Sequence, residues 1–284
     1  MPSSRSGRAS IRSTRLRREW DTLRRRVERW WQVARVAARA FNTVPRVLRI
    51  IAVTAVLLLA LSATNLAYQV IRKPTELLFP FGNLYDKPPA ETWRHYGGLF
   101  QEYSTAFVAP ELLAALAQVE GAGNPVAHTY WRWRLSWNPF AIFRPASSAV
   151  GMYQMTDPAF AEARRHCIRD HAVIDNGARE DGRGCWLNGF YSRIVASHAI
   201  ELASIYLDRK VAALLAPLPA ATPQQRQAVA ALVHLCGSGP AGAFARRGFR
   251  LAQGEHCGDH DAAAYLAGVS AMTRQFRALA AADP

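Results

Sequence analysis

Pro110-Glu111-Leu112-Leu113-Ala114-Ala115-Leu116-Ala117-Gln118-Val119-Glu120-Gly121 reads as one short, buried helix. Proline is favoured at the first helical position, where its missing N–H has no intrahelical partner to lose. Leu112, Leu113, Leu116 and Val119 recur at the spacing of one helical face, and Gly121 and Gly123 end the run. Glu120 is the only acidic residue beyond the first turn, and it closes an otherwise apolar stripe. The partial negative charge of the helix terminus and the scarcity of water beside Leu, Ala and Val both disfavour an ionised carboxylate there. A carboxyl group that stays protonated near neutral pH can act as a general acid. A solvent-facing glutamate at a fraying helix end is the plainer alternative.

Around this helix, Trp93, Tyr96, Leu99, Phe100 and Tyr103 fall at helical spacings over residues 90–105. Further helices are expected over 158–168, 190–215, 223–236 and 261–281. No stretch alternates as a half-buried strand would, so residues 90–284 read as one all-α domain. Two segments break the regularity. Residues 128–146 hold Trp131, Trp133, Trp137, Phe140 and Phe143 among Arg132, Arg134 and Arg144, with Asn138-Pro139 as a turn signal, and read as an irregular aromatic loop. Residues 169–189 are rich in Asp, Asn, Gly and Arg, which suits a surface excursion.

Toward the N-terminus, residues 72–89 contain Pro74, Pro80, Gly82, Pro88 and Pro89 without a sustained period, and are expected to form a stalk. Residues 50–71 contain no charged side chain and are bracketed by Arg49 and Arg72. As a helix they would extend about 33 Å, enough to cross a bilayer. Residues 1–49 hold fourteen arginines against Glu19, Asp21 and Glu28, so most of the formal charge of +14 lies there. By the positive-inside rule this segment is cytoplasmic and the domain lies on the far side of the membrane. The folded part is then close to neutral, which argues against a nucleic-acid partner. A cleaved signal peptide is the competing reading of 50–71, but a 49-residue n-region would be unusually long. Within 1–49, Leu16, Trp20, Leu23, Val27, Trp30, Ala34, Ala37 and Phe41 make one apolar stripe opposite the arginines. This amphipathic helix is expected to lie on anionic lipid headgroups, with pairing to a partner helix as the alternative.

Cys167, Cys185, Cys236 and Cys257 all follow the apolar stretch, in the part expected to face an oxidising space. Pairing of neighbours, Cys167 with Cys185 and Cys236 with Cys257, would close short loops; other connectivities, and four unpaired thiols, stay open. None forms a Cys-x-x-Cys pair, and the histidines show no ligand pair at helical spacing, so neither a metal nor any other cofactor is expected.

A second motif, Ser147-Ser148-Ala149-Val150-Gly151-Met152-Tyr153-Gln154-Met155-Thr156, follows the aromatic loop. Taken with Gln118-Val119-Glu120-Gly121, Asn124-Pro125, Leu235-Cys236-Gly237-Ser238-Gly239-Pro240 and Tyr265-Leu266-x-x-Val269, it makes residues 90–280 resemble the lysozyme-like lytic transglycosylases of the soluble-lytic-transglycosylase type. The chain departs from that pattern at Gly121, where the family usually has Ser, and at Cys236-Gly237, where it has Tyr-Asn. The resemblance implies a lysozyme-like helical fold and an enzyme of the bacterial inner membrane, single-pass, whose periplasmic domain acts on peptidoglycan glycan strands. It implies Glu120 as the single catalytic acid and base, and a turn at Gly151, Met152, Tyr153 and Gln154, with Ser148 beside it, that holds the sugar. Gln154 would hydrogen-bond near the scissile bond across a cleft from Glu120, while Tyr153, Trp131, Trp133 and Trp137 would stack on sugar rings, with packing in the core as the alternative. Two rival functions remain: a muramidase that hydrolyses the same bond, and a non-catalytic wall-binding scaffold within an envelope-spanning machine.

Overall fold

The computed structural model describes residues 24–175 and 185–282, apart from 27, 30, 33, 34, 37, 38, 40 and 219. Of the expected N-terminal stripe, Leu16, Trp20, Leu23, Val27, Trp30, Ala34 and Ala37 lie outside the described residues; Trp31 and Phe41 are described and exposed. Two compact units are present, Met1–Leu66 and Ala67–Pro284. Helix α1, Arg46–Arg72, is long and apolar enough to cross a membrane. Leu57, Leu58 and Leu59 stand exposed on it, a surface that suits lipid and not water.

The second unit is mainly helical: α2 (Pro89–Glu102), α3 (Pro110–Gly121), α4 (Asp157–Ala163), α5 (Ala196–Leu215), α6 (Pro223–Cys236), α7 (Ser238–Arg246) and α8 (Ala262–Ala282). Its core is built on α3, whose Leu112, Leu113, Ala114, Ala115, Leu116 and Ala117 are all buried. The alanines let neighbouring helices come close, and α3 packs on α8 and α2, whose Trp93, Phe100 and Phe276 rings cluster at centroid separations of 6.0–6.2 Å. Residues 112–117 are buried on every side and so read as apolar throughout, whereas Val119, expected in the buried stripe, is exposed near the C-terminal end. Helix α6 begins with a capping box, Thr222 Oγ1 accepting from the Gln225 amide while the Gln225 side chain accepts from the Thr222 amide.

Three findings differ from the sequence expectations. The chain forms three two-stranded antiparallel hairpins: β1 (Trp131–Trp133) with β2 (Phe143–Pro145), β3 (His166–Arg169) with β4 (Ala172–Asp175), and β5 (His256–Cys257) with β6 (His260–Asp261). Strands of two to four residues are too short to show alternation, and β3 replaces the end of the helix expected over 158–168. Second, residues 74–85 form a 3-10 helix, Pro74–Tyr85, instead of a free stalk. Glu76 is buried there, 2.8 Å from Lys73 Nζ, and accepts from Trp131 Nε1 at 2.7 Å, so this segment is packed into the domain. Third, α7 was not anticipated. It follows α6 after one residue, Gly237, whose φ of +78° turns the chain.

Both neighbour pairs of cysteines stand at disulfide distance, Cys167 with Cys185 (Cα–Cα 5.4 Å) and Cys236 with Cys257 (5.3 Å). The first joins β3 to the far end of the 169–189 excursion, of which residues 176–184 lie outside the described part. The second ties the last residue of α6 to the β5–β6 hairpin that leads into α8.

Candidate active site

Helix α3 ends in a left-handed cap. Ala122 has φ +49°, and the amides of Ala122 and Gly123 donate to Gln118 O and Ala117 O, so carbonyls orphaned at the helix end are satisfied. Glu120 sits one residue inside this end, its side chain 19% exposed, in a cleft of about 300 Å³. Asn83, Asp86, Asn124 and His128 line the same cleft. Two groups approach the carboxylate from the helices packed beside α3. Tyr265 of α8 donates its hydroxyl to Glu120 Oε1 in a short hydrogen bond. His234 of α6 places Nε2 3.5 Å from the same oxygen.

Burial, joined by the charge of Glu120, pushes the Tyr265 hydroxyl far above the ordinary tyrosine range. Tyr265 therefore stays protonated and remains a donor at any working pH. The Tyr265 hydroxyl is thus a fixed donor on Oε1 that stabilises negative charge on the carboxylate.

The Ser147–Thr156 motif is positioned by backbone pairing. Val150 bridges to Met155 and to His128, and the Gly151 amide donates to Ala127 O at 2.8 Å, closing a tight loop over Gly151–Gln154. This loop abuts the end of α3 because residue 121 has no side chain: a Cβ there would lie 2.8 Å from Met152 Cα. Glycine at position 121 thus has a steric reason. Gly151 is required twice over, since its φ is +81° and a Cβ would lie 2.2 Å from Arg193 O.

No family model matches this chain, and no curated protein matches it in sequence. The site therefore rests on its own residues, and several expectations need correction. Met152 and Tyr153 are buried in the core, Tyr153 to 1% exposure, so the Tyr153 ring has no free face for a sugar. Gly151 makes its close approach to Arg193 O, with no room left there for a ligand. Gln154, at φ +43°, turns its side-chain Nε2 back onto Gly151 O at 2.9 Å. It lines an adjoining cleft of about 230 Å³ with Tyr206, His234 and Gly237. His234 is the link, being in contact with Glu120 on one side and lining the Gln154 cleft on the other.

Ser148 and Trp137 are brought to neither cleft. Ser148 accepts from the Asp157 amide through Oγ and from Arg193 Nη1 through its carbonyl, which supports the start of α4. It lines a separate cavity of about 530 Å³ with Arg72, Lys73, Arg144 and Arg193, whose lining does not include Glu120. In that cavity Arg193 is already spent on Ser148 O, Met155 O and Asp157, and Lys73 on Glu76, Ser147 O and Ala149 O. Trp137 is fully exposed on the β1–β2 hairpin, Trp133 stacks on Phe143, and Trp131 is tied to Glu76. No local pattern marks His234, Asp86 or His128 as part of this site. Tyr265 was visible only as part of a motif, and the contact that matters, across 145 residues, is tertiary.

Proposed function

We propose that this chain is a membrane-anchored peptidoglycan lytic transglycosylase that cleaves the bond between N-acetylmuramic acid and N-acetylglucosamine, with Glu120 as acid and then base. The observation that carries the reading is the Glu120 carboxyl held at the end of a buried helix by Tyr265 and flanked by His234, at the junction of two adjoining clefts. Glu120 gives its proton to the glycosidic oxygen as the C1–O bond breaks, and the sugar's own acetamido oxygen supports the cationic C1. The Glu120 anion, stabilised by the Tyr265 hydroxyl, then removes the C6 hydroxyl proton. O6 closes on C1, giving a 1,6-anhydro end and returning Glu120 protonated, so no water is consumed and one carboxyl group suffices. Glycan on either side of the cleaved bond would occupy the two clefts, Gln154 lining one and Asn83, Asn124 and His128 the other. The chain would sit in the inner membrane by α1, N-terminus in the cytoplasm and domain in the periplasm, where the cysteine pairs oxidise.

Digestion of purified sacculi, read by mass spectrometry, tests this. Wild type should release anhydro ends. Glu120→Gln should lower their rate by about 10²–10⁴-fold, and Tyr265→Phe by about tenfold or more, the worth of one hydrogen bond to a charged group. Asp86 supports a second reading, hydrolysis, because it supplies another carboxylate in the Glu120 cleft, where it accepts from Asn124 Nδ2 at 2.9 Å. Reducing ends lost in Asp86→Asn would favour that reading. Binding to sacculi with no product of either kind would leave only a scaffold.

A further inference from the structure

The β1–β2 hairpin carries an apolar tip that no described residue covers. Trp133, Leu135 and Trp137 are exposed, with Tyr130 at the base, and Arg132 and Arg134 stand exposed between them. The tip is nonetheless firmly built. Arg134 N donates to Ile142 O at 2.8 Å, Asn138 Oδ1 accepts from the Phe140 amide, and the Trp133 ring stacks on Phe143 at 4.6 Å. Its position is fixed by the last turns of α1. Gln69 Nε2 donates to Phe140 O at 2.7 Å and is 8% exposed, and the Phe140 and Tyr68 rings lie 4.8 Å apart.

Tyr68 precedes Arg72 by four residues, about 6 Å along a helix axis. If the charge-free run of α1 spans a bilayer, Tyr68 and Gln69 are at the interfacial level, and whatever packs on them is at that level too. Tryptophan and tyrosine favour this zone, where the ring is removed from bulk water while its N–H or O–H finds polar partners. Arginines interleaved with them can reach lipid phosphates while their stems cover apolar surface.

We propose that the β1–β2 hairpin is a membrane-docking element that seats Trp133, Leu135 and Trp137 in the headgroup layer of the leaflet from which α1 emerges, with Arg132 and Arg134 on anionic phosphates. Trp137, assigned to sugar by its sequence setting, is thereby reassigned to lipid. The inference rests on the reading of α1 as a membrane span. A hairpin fixed to the surface in this way restrains the domain at a second point and confines its clefts to glycan near the bilayer.

The full chain, reconstituted in vesicles of phosphatidylethanolamine and phosphatidylglycerol, provides the test. A photoreactive benzoylphenylalanine is placed at Trp137 or, separately, at Leu57 within α1, and adducts are identified by mass spectrometry. Phospholipid adducts at both positions are expected, with the Trp137 adduct lost when Trp133 and Leu135 are both changed to Glu. Lipid adducts at Leu57 with none at Trp137 overturn the hairpin proposal and leave the span reading intact. A protein adduct at Trp137, to a second copy or another chain, overturns it as well. Absence of lipid at Leu57 overturns the span reading, and the proposal with it.

Discussion

Glu120 acquires its character from two neighbours, Tyr265 and His234, that come from two other helices, and small residues let the Gly151 loop close on the end of its own helix. Gly151 is the most exacting. Gly151→Ala adds a methyl where Arg193 O already stands and asks an L side chain to hold φ +81°. The expected loss is about 2–4 kcal/mol of unfolding free energy, from overpacking and backbone strain together, read from denaturant titration. Gly121→Ser should also destabilise the fold, because the added atoms meet the Met152 backbone. His198 supplies a pH signature. Its ring lies flat on Tyr191 at 3.9 Å and its Nδ1 accepts from the Ser192 amide, so the neutral tautomer is the one that fits. Burial lowers its pKa, the nearby Glu201 opposing only in part. A histidine with a lowered folded value takes up a proton first in the unfolded state, so stability falls as pH drops below about 6.5 and continues to fall until the folded ring is protonated. His166, lowered by burial and by Arg209, adds in the same direction. Thermal midpoints compared at about pH 7.5 and about pH 5 should drop less in His198→Asn than in wild type.

At the scale of elements, the Cys236–Cys257 pair braces the candidate site. It joins the end of α6, two residues after His234, to the hairpin that precedes α8 and Tyr265. Both groups that touch Glu120 are thus held by helices stapled to each other. Replacing the pair by serines should cost about 3 kcal/mol, as expected for a loop of this length. Activity on sacculi should fall further than the loss of folded protein explains, and reductant should have the same effect on wild type. The helices themselves were mostly legible beforehand. Pro110 and Pro223 mark helix starts by the physics of the missing N–H, and the apolar spacings of α2, α3 and α8 follow from packing one face. The hairpins were not legible, since strands this short take their identity from partners, as β3 does when the Ile168 amide donates to buried Glu201.

On the scale of the whole molecule, the proposed span at α1 predicts that the chain partitions into membranes. Protein expressed in bacteria should remain in the pellet after alkaline carbonate extraction. Leu58→Asp, which costs about 2.5–3.5 kcal/mol at the centre of a span, should release part of it.

Composition and periodicity alone decided a mainly helical chain, one helix able to cross a bilayer and a lone acid at the end of an apolar helix, while the pairing of neighbouring cysteines came only with the tertiary structure. The first three are local or compositional properties, set by spacing along the chain. Only the tertiary structure decided that Tyr153 and Met152 are core, that Gln154 folds back on its own turn, that Ser148 supports α4, and that His234 and Tyr265 are the residues on Glu120. Each depends on which surfaces meet after residues far apart in sequence are packed together, and a free face on a turn and a buried one are written in the same letters.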